Sequence, residues 1–377
     1  MVLALAVAGV IIVAGQSRSA RLTSDFTIDY SAGLLLREGR ISAPYNQAEL
    51  ADTMHRVAPD GAIDPRLPFN KPLAAALPYA VLSVLPLELA FRTWQVISIG
   101  LLLLTLVILK SLQPLGPRAL RLGTLGLLAA VPTWATLTEG QLTPLLALGA
   151  ALAIVGLRSQ NSMLALAAGA LLAIKPQYLP AYLVVCFAAR AWRPLVAASI
   201  GGTVILLSPL VGGWGNLLAM LHQADAANRI VDVRLNEAWI GVLGAVVPTA
   251  ALTSVAIAMF VVVQAVLGGL GWRRPANQVA FIALAGVLGV LSSPHSLTHD
   301  LVILAVPVWL VVALYRDGRL PNPIPALLVA DLALVVDLRG IGVPLAPIVI
   351  TVALAWLLWQ FRQRTASQRQ PPVVRAA

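Results

Sequence analysis

Long apolar blocks separated by short, arginine-bearing breaks recur along the whole chain. Val96–Leu109, Gly123–Leu137 and Ala250–Leu270 each run with almost no interruption. Blocks of roughly 15 to 22 apolar residues match the hydrocarbon thickness of a bilayer, particularly where helices tilt or break around a cavity. The pattern predicts helices near 1–16, 91–109, 122–138, 142–157, 163–175, 177–189, 194–211, 250–271, 277–293, 300–315, 323–338 and 343–361. The pair 163–175 and 177–189, split by Lys175-Pro176, is the shortest of the set. Met1–Ala14 lacks the basic leading segment of a signal peptide and reads as a retained first helix. Pro72–Pro86 is apolar but short and proline-bounded. As a span it would invert every later loop, so it reads as an interfacial or re-entrant helix.

Composition agrees with the pattern. The chain of 377 residues is 59% hydrophobic and only 11% charged, with mean hydropathy +0.86. A soluble domain carries about 25% charged residues, and no soluble architecture of this size hides so much apolar surface. The expectation is an all-α, polytopic membrane protein of about twelve transmembrane helices. Residues 1–361 form one integral-membrane domain and 362–377 a basic cytoplasmic tail. Cys186 is the only cysteine and lies in an apolar block, which excludes an intrachain disulfide and a cysteine-metal cluster.

The net charge of +10 could suggest nucleic acid, but its distribution excludes that partner. The basic residues sit in short clusters between apolar blocks, not along a soluble face. With the N-terminus inside, one set of loops collects Lys110, Arg118, Arg121, Arg158, Arg190, Arg193, Arg273, Arg274, Arg316 and Arg319. The tail adds Arg362, Arg364, Arg369 and Arg375. These fourteen basic residues meet one acid, Asp317, whereas the other twelve share their regions with fifteen acids. That asymmetry is the positive-inside pattern and places both termini in the cytoplasm of a plasma-membrane protein. The external face then carries a long loop, 16–90, with interfacial helices and many acids, and a second loop, 212–238. Trp94, Trp214, Trp239 and Trp356 fall near the expected interfaces, as an aromatic belt would.

Ionisable residues inside a bilayer are costly and mark function. On this topology they gather at the external helix ends. Asp25 and Asp29 follow the first helix, one helical turn apart. Glu139-Gly140-Gln141 forms a tight turn, Lys175-Pro176-Gln177 caps the fifth helix, and Ser293–Asp300 brings His295, His299 and Asp300. Asp29 and Glu139 also read as a solvent-facing charge and a helix cap. Lys175, between Ile174 and Pro176, needs an anionic partner, and a donor phosphate fits that need. On a helix His295 and His299 could chelate a metal with Asp300, yet no further ligand shows convincing spacing. They read as phosphate or acceptor binders, or as a structural polar cluster. Asp331, inside an apolar block, pairs with Arg339 or Arg92 or lines the cavity. A carboxylate at such a face can deprotonate an acceptor hydroxyl, and a lysine with imidazoles can receive a departing phosphate. A polyprenyl-phosphate sugar would supply that leaving group without any nucleotide, cofactor or metal.

At these residues the chain resembles the integral-membrane glycosyltransferases of the GT-C fold. Within them it is similar to the actinobacterial polyprenyl-phosphate-mannose-dependent α-mannosyltransferases of phosphatidylinositol-mannoside and lipoglycan assembly. The matching pieces are Asp25-Phe26 with Tyr30-Ser31-Ala32-Gly33, Leu36-Arg37-Glu38-Gly39, Pro44-Tyr45, Leu67–Ala75, Leu85-Pro86 and Trp94. Further along, Gly140-Gln141, Ala168-Gly169 through Lys175-Pro176, Ala191-Trp192-Arg193 and Ser293-Pro294-His295 with His299-Asp300 fit. The resemblance implies that Asp25 is the general base of an inverting transfer from a polyprenyl-phosphate sugar to a lipid-linked glycan. It raises Glu139 to a second-site acid. Asn70-Lys71-Pro72 stands where such proteins usually carry Tyr-Pro-Pro, so Lys71 changes the donor contacts. Other readings stay open from the sequence: transfer of arabinofuranose or glucose, a transporter, or a non-catalytic lipid-binding relative.

Overall fold

The computed structural model describes residues 2–61, 63–112, 117–230, 232–244, 246–247, 249–272, 278–335 and 344–367. Arg273, Arg274, Arg339, Arg369 and Arg375 lie outside these residues. The described chain is helical throughout, with no strand.

Four helical stretches are long and apolar enough to cross a membrane: Leu87–Ser111, Trp192–Gly212, Ala251–Trp272 and Thr298–Arg316. The expected span 343–361 coincides with the 22-residue helix Ala346–Ser367, and the remaining ones with shorter helices. Polar breaks and prolines account for the shortening. The expected span 122–138 divides at Ala130, where Val131–Glu139 starts anew with Pro132 in its first turn. Asp331 resolves here. Its carboxylate accepts from Val131 N at 3.0 Å and so caps the new helix, while Arg92 donates to Gln95 Oε1 and Val13 O. Ser162–Leu172 and Leu179–Ala188 flank the Lys175-Pro176 break. At 1.5 Å per residue each rises only about 15 Å.

Small residues set the tightest packing. Ser162–Leu172 lies against Trp192–Leu206 and Thr143–Ser159. A Cβ on Gly169 would stand 2.1 Å from Ala198 O, and one on Gly201 2.1 Å from Leu166 O. Backbone-to-backbone contact of this kind is how helices associate where lipid removes the hydrophobic drive.

The segment before the first long helix is folded. Arg18–Leu22, Asp25–Arg37 and Gln47–Val57 are helices, the last capped by Asn46, whose side chain accepts from Ala48 N and Glu49 N. Pro72–Pro86 forms a single 3-10 turn, Leu73–Ala76, and a six-residue helix, Leu77–Leu82. At about 9 Å that helix is far too short to span. One side packs on Asp25–Arg37, where a Cβ at Gly33 would lie 2.5 Å from Ala80 N. Its other side leaves Leu77 and Val81 exposed, as is Val84 in the turn that follows.

An aromatic cluster ties this segment to the Leu87–Leu112 helix. Phe26 meets Phe91 at 5.1 Å and Tyr79 at 5.4 Å, and Tyr79 meets Trp94 at 5.3 Å. Each pair is tilted or edge-on, the geometry that ring quadrupoles favour. Trp94 is thus not part of an aromatic belt: it is 3% exposed, and its indole N–H has a partner inside the protein. Trp214 and Trp356 are exposed, and Trp239 donates to Thr351 Oγ1 at 2.8 Å.

Candidate active site

Asp25 opens the Asp25–Arg37 helix, where free backbone N–H groups and the helix dipole favour a carboxylate. Its Oδ2 accepts from the Gln141 side-chain amide. Gln141 is fixed in turn by the break between Val131–Glu139 and Thr143–Ser159. Gly140 closes the first of these in the left-handed region, φ +64°, with a Cβ position only 2.7 Å from Phe26 Cβ. Glycine alone fits there. Tyr79 Oη donates to Gly140 O at 3.0 Å, and Trp94 Nε1 to Gln141 O at 3.2 Å. The aromatic cluster therefore sets both Asp25 and the residue that orients it. Glu139, on the same turn, accepts from Asp25 N at 3.4 Å.

Two lysines flank this centre, each matched to a buried carboxylate. Lys71 Nζ stands 2.7 and 2.6 Å from the two Asp29 oxygens. Asp29 is buried, so the solvent-facing alternative for it is excluded. Lys175 Nζ donates to Asp300 Oδ1 and lies 3.4 Å from His299 Nε2. The anionic partner that Lys175 requires is thus already present within the protein as Asp300. Three donors on each ammonium leave capacity for a further anion.

The segment Ser293–Leu304 carries the imidazoles. Asp300 Oδ2 accepts from Leu297 N at 3.1 Å, Thr136 Oγ1 donates to His299 O at 2.9 Å, and Gln177 Nε2 donates to His295 O at 3.1 Å. Gln177 therefore supports the backbone that bears His295. His295 lies in a bend before the 3-10 helix Thr298–Leu304, so the two imidazoles do not share a helical face as the spacing suggested. Among the described residues no three His, Cys, Asp or Glu side chains group as metal ligands.

Asn236 and Glu237 are site-supporting residues that the sequence did not single out. Asn236 Oδ1 accepts from Ser296 N at 3.0 Å and Ala238 N at 3.2 Å, and its amide donates to Pro294 O at 3.4 Å. Glu237 N donates to Ser296 O at 2.6 Å, and its Oε1 accepts from Thr298 Oγ1 at 3.0 Å. Two buried polar residues beside Leu235 and Ala238 in an interhelical loop are the one local signal, and nothing in it names the partner.

Charge in the centre is finely balanced. Burial lifts the Asp25 carboxyl above its ordinary value and Asp29 adds to the rise, while Lys71, Lys175 and the Gln141 bond pull it down. Glu139, beyond the end of its expected span, is pushed up to about 7 by burial and by the Asp25 charge. Burial lowers the His295 imidazole, against the pull of Asp300. Two neighbouring carboxyls thus sit in different environments, a common basis for dividing proton-transfer roles. Asp25, Asp29, Lys71, Glu139, Gln141, Lys175, Gln177, His295, His299 and Asp300 converge at one end of the bundle, although they come from five separate stretches of sequence.

The sequence profile described as glycosyltransferase family 87 matches residues 69–294. Comparison with curated proteins and with solved structures gives no match.

Proposed function

The chain belongs to glycosyltransferase family 87, and from that premise we propose that it moves a hexose, in this reading mannose, from a polyprenyl-phosphate carrier to a lipid-linked glycan. The reaction takes place at the external face of the plasma membrane. Asp25 is the general base. Its carboxylate removes the proton from the acceptor hydroxyl as that oxygen attacks the anomeric carbon. The bond from that carbon to the phosphate oxygen breaks, the anomeric configuration inverts, and polyprenyl phosphate departs with the bonding electrons. Lys71 and Lys175 receive the charge that grows on the leaving phosphate. Gln141 holds Asp25 in line, and His295 and His299 offer hydrogen bonds to phosphate or acceptor. Glu139 is the second acid of the site.

The observation that carries this reading is the carboxylate of the half-buried Asp25, oriented by Gln141 and within reach of both lysine charges. Base and leaving-group stabiliser are the two parts this transfer requires. The test is purified Asp25→Asn protein supplied with polyprenyl-phosphate-mannose and a lipid-linked acceptor, beside the wild type. Loss of a general base lowers the rate by about 100- to 10,000-fold, with an unchanged detergent-solution elution profile. Transfer at the wild-type rate would sink the mechanism. Parallel assays with polyprenyl-phosphate arabinofuranose and glucose decide the sugar.

A further inference from the structure

We infer that the opposite, arginine-bearing end of the bundle holds a second ligand site, which binds an anionic phospholipid with its phosphate at Arg190 and an acyl chain in the adjoining cavity. A cavity of about 290 Å³ opens there between Leu157, Val185, Ala188, Gly271 and Phe281, with Arg190 and Gln278 as its polar edge. Leu157, Val185 and Ile282 also line a second, apolar groove that continues into the bundle past Ala150 and Gly286. The space thus has one charged mouth and an apolar interior, the shape of an amphiphile rather than of a free ion. The Leu179–Ala188 helix, about 15 Å long, sets the Arg190 mouth apart from Lys175, while the inner end of the groove reaches Tyr178.

The mouth is built in an unusual way. After Leu179–Ala188 the chain turns with Arg190 N donating to Phe187 O and Ala191 N to Cys186 O, both at 2.9 Å. Arg190 has φ +55°, the left-handed position that ordinarily falls to glycine. An arginine in that place presents its side chain over the Trp272 ring, with Cζ 4.4 Å from the centroid. Phe187 stacks on the same ring at 5.0 Å. The cation–π contact occupies the face of the guanidinium and none of its five N–H donors, which match phosphate oxygens. Phe187, Trp192 and Trp272 are all exposed, as rings at a membrane–water boundary are.

Charge complementarity selects the headgroup. The breaks 158–161 and 189–193 contribute Arg158, Arg190 and Arg193 and no acid. Basic pockets between membrane helices recruit anionic headgroups over zwitterionic ones. A soluble phosphate would meet the arginine but leave the cavity unfilled. The phospholipid uses both.

Native mass spectrometry of the purified chain, delipidated and then offered phosphatidylglycerol or phosphatidylcholine, tests the site without any reference to transfer activity. The wild type should retain phosphatidylglycerol about fivefold better. Arg190→Gly places glycine where the backbone prefers it, so the fold survives, and retention should fall to the phosphatidylcholine level. Ala188→Phe fills the cavity and should lower retention of phosphatidylglycerol as well. Equal retention of the two lipids by the wild type, or an unchanged preference in Arg190→Gly, overturns the site. Retention of phosphatidylglycerol that is undiminished in Ala188→Phe overturns the acyl-chain half of it.

Discussion

Lys71 Nζ makes near-symmetric contacts of 2.7 and 2.6 Å with both carboxylate oxygens of Asp29, which is 1% exposed. Asp29 sits one helical turn along from Asp25 on the same helix. Removing one partner strands a buried charge at a cost of about 3–5 kcal/mol, whereas replacing both with apolar residues is often near neutral. Lys71→Met and Asp29→Leu should each lower the thermal midpoint in detergent markedly, and the double variant should recover most of the loss. Additive losses in the double variant would show that the two groups do not depend on one another.

The Glu139 carboxyl gives a stability signature. Its value in the folded protein rises from 4.5 to about 7, through burial and the Asp25 charge. A raised carboxyl stabilises the fold by holding its proton. The contribution is complete below pH 4.5 and is lost as pH climbs through about 7. The protein should therefore melt higher at pH 5 than at pH 8, and Glu139→Gln should flatten that difference. Asp25→Asn removes one cause of the rise and should move the loss to lower pH. A full slope retained in Glu139→Gln would assign the effect to another group.

How much of this was legible beforehand depends on whether a residue's partner is local. The apolar blocks located the helices, and the one-sided polar residues named most of the centre, because ionisable groups among apolar ones stand out in sequence. Pairings did not show. Lys175 advertised its need for an anion, but Asp300 lies 125 positions away. Asp29 looked like a surface charge because Lys71, which buries it, is 42 positions on. Trp94 looked like a belt residue because position along a helix says nothing about which face meets Gln141. The span 122–138 was read as continuous for a similar reason. A run of apolar residues does not reveal that Pro132 restarts the helix within 122–138, whereas the Lys175-Pro176 break was visible in the sequence.

Asn236 acts on the imidazoles without touching the proposed reacting atoms. It joins Ser296 N, Ala238 N and Pro294 O, all buried or half-buried. Asn236→Ala leaves those backbone groups without partners, at about 1–3 kcal/mol for each one fully buried. The thermal midpoint should fall, and the KM for the polyprenyl-phosphate donor should rise more than kcat falls, because the His295 and His299 segment loosens. Asn236→Asp keeps the accepting oxygen and should restore part of the donor affinity. A lower melting point with unchanged KM would make Asn236 purely structural.

The face on which Asp25 works can be read by cysteine labelling. Cys186 is buried, so Cys186→Ser provides a cysteine-free background with little cost to the surface. Ser111 and Ser159 are exposed at helix ends beside Lys110 and Arg158, on the side that the arginine distribution assigns to the cytoplasm. Single cysteines there should resist a membrane-impermeant maleimide in intact cells and react once the membrane is opened. A cysteine at Thr23, exposed two residues before Asp25, should react in intact cells. Labelling of Ser111→Cys or Ser159→Cys from outside would reverse the orientation. The proposed centre would then face the cytoplasm, where nucleotide sugars compete as donors, and the case for a polyprenyl-phosphate carrier would fall with it.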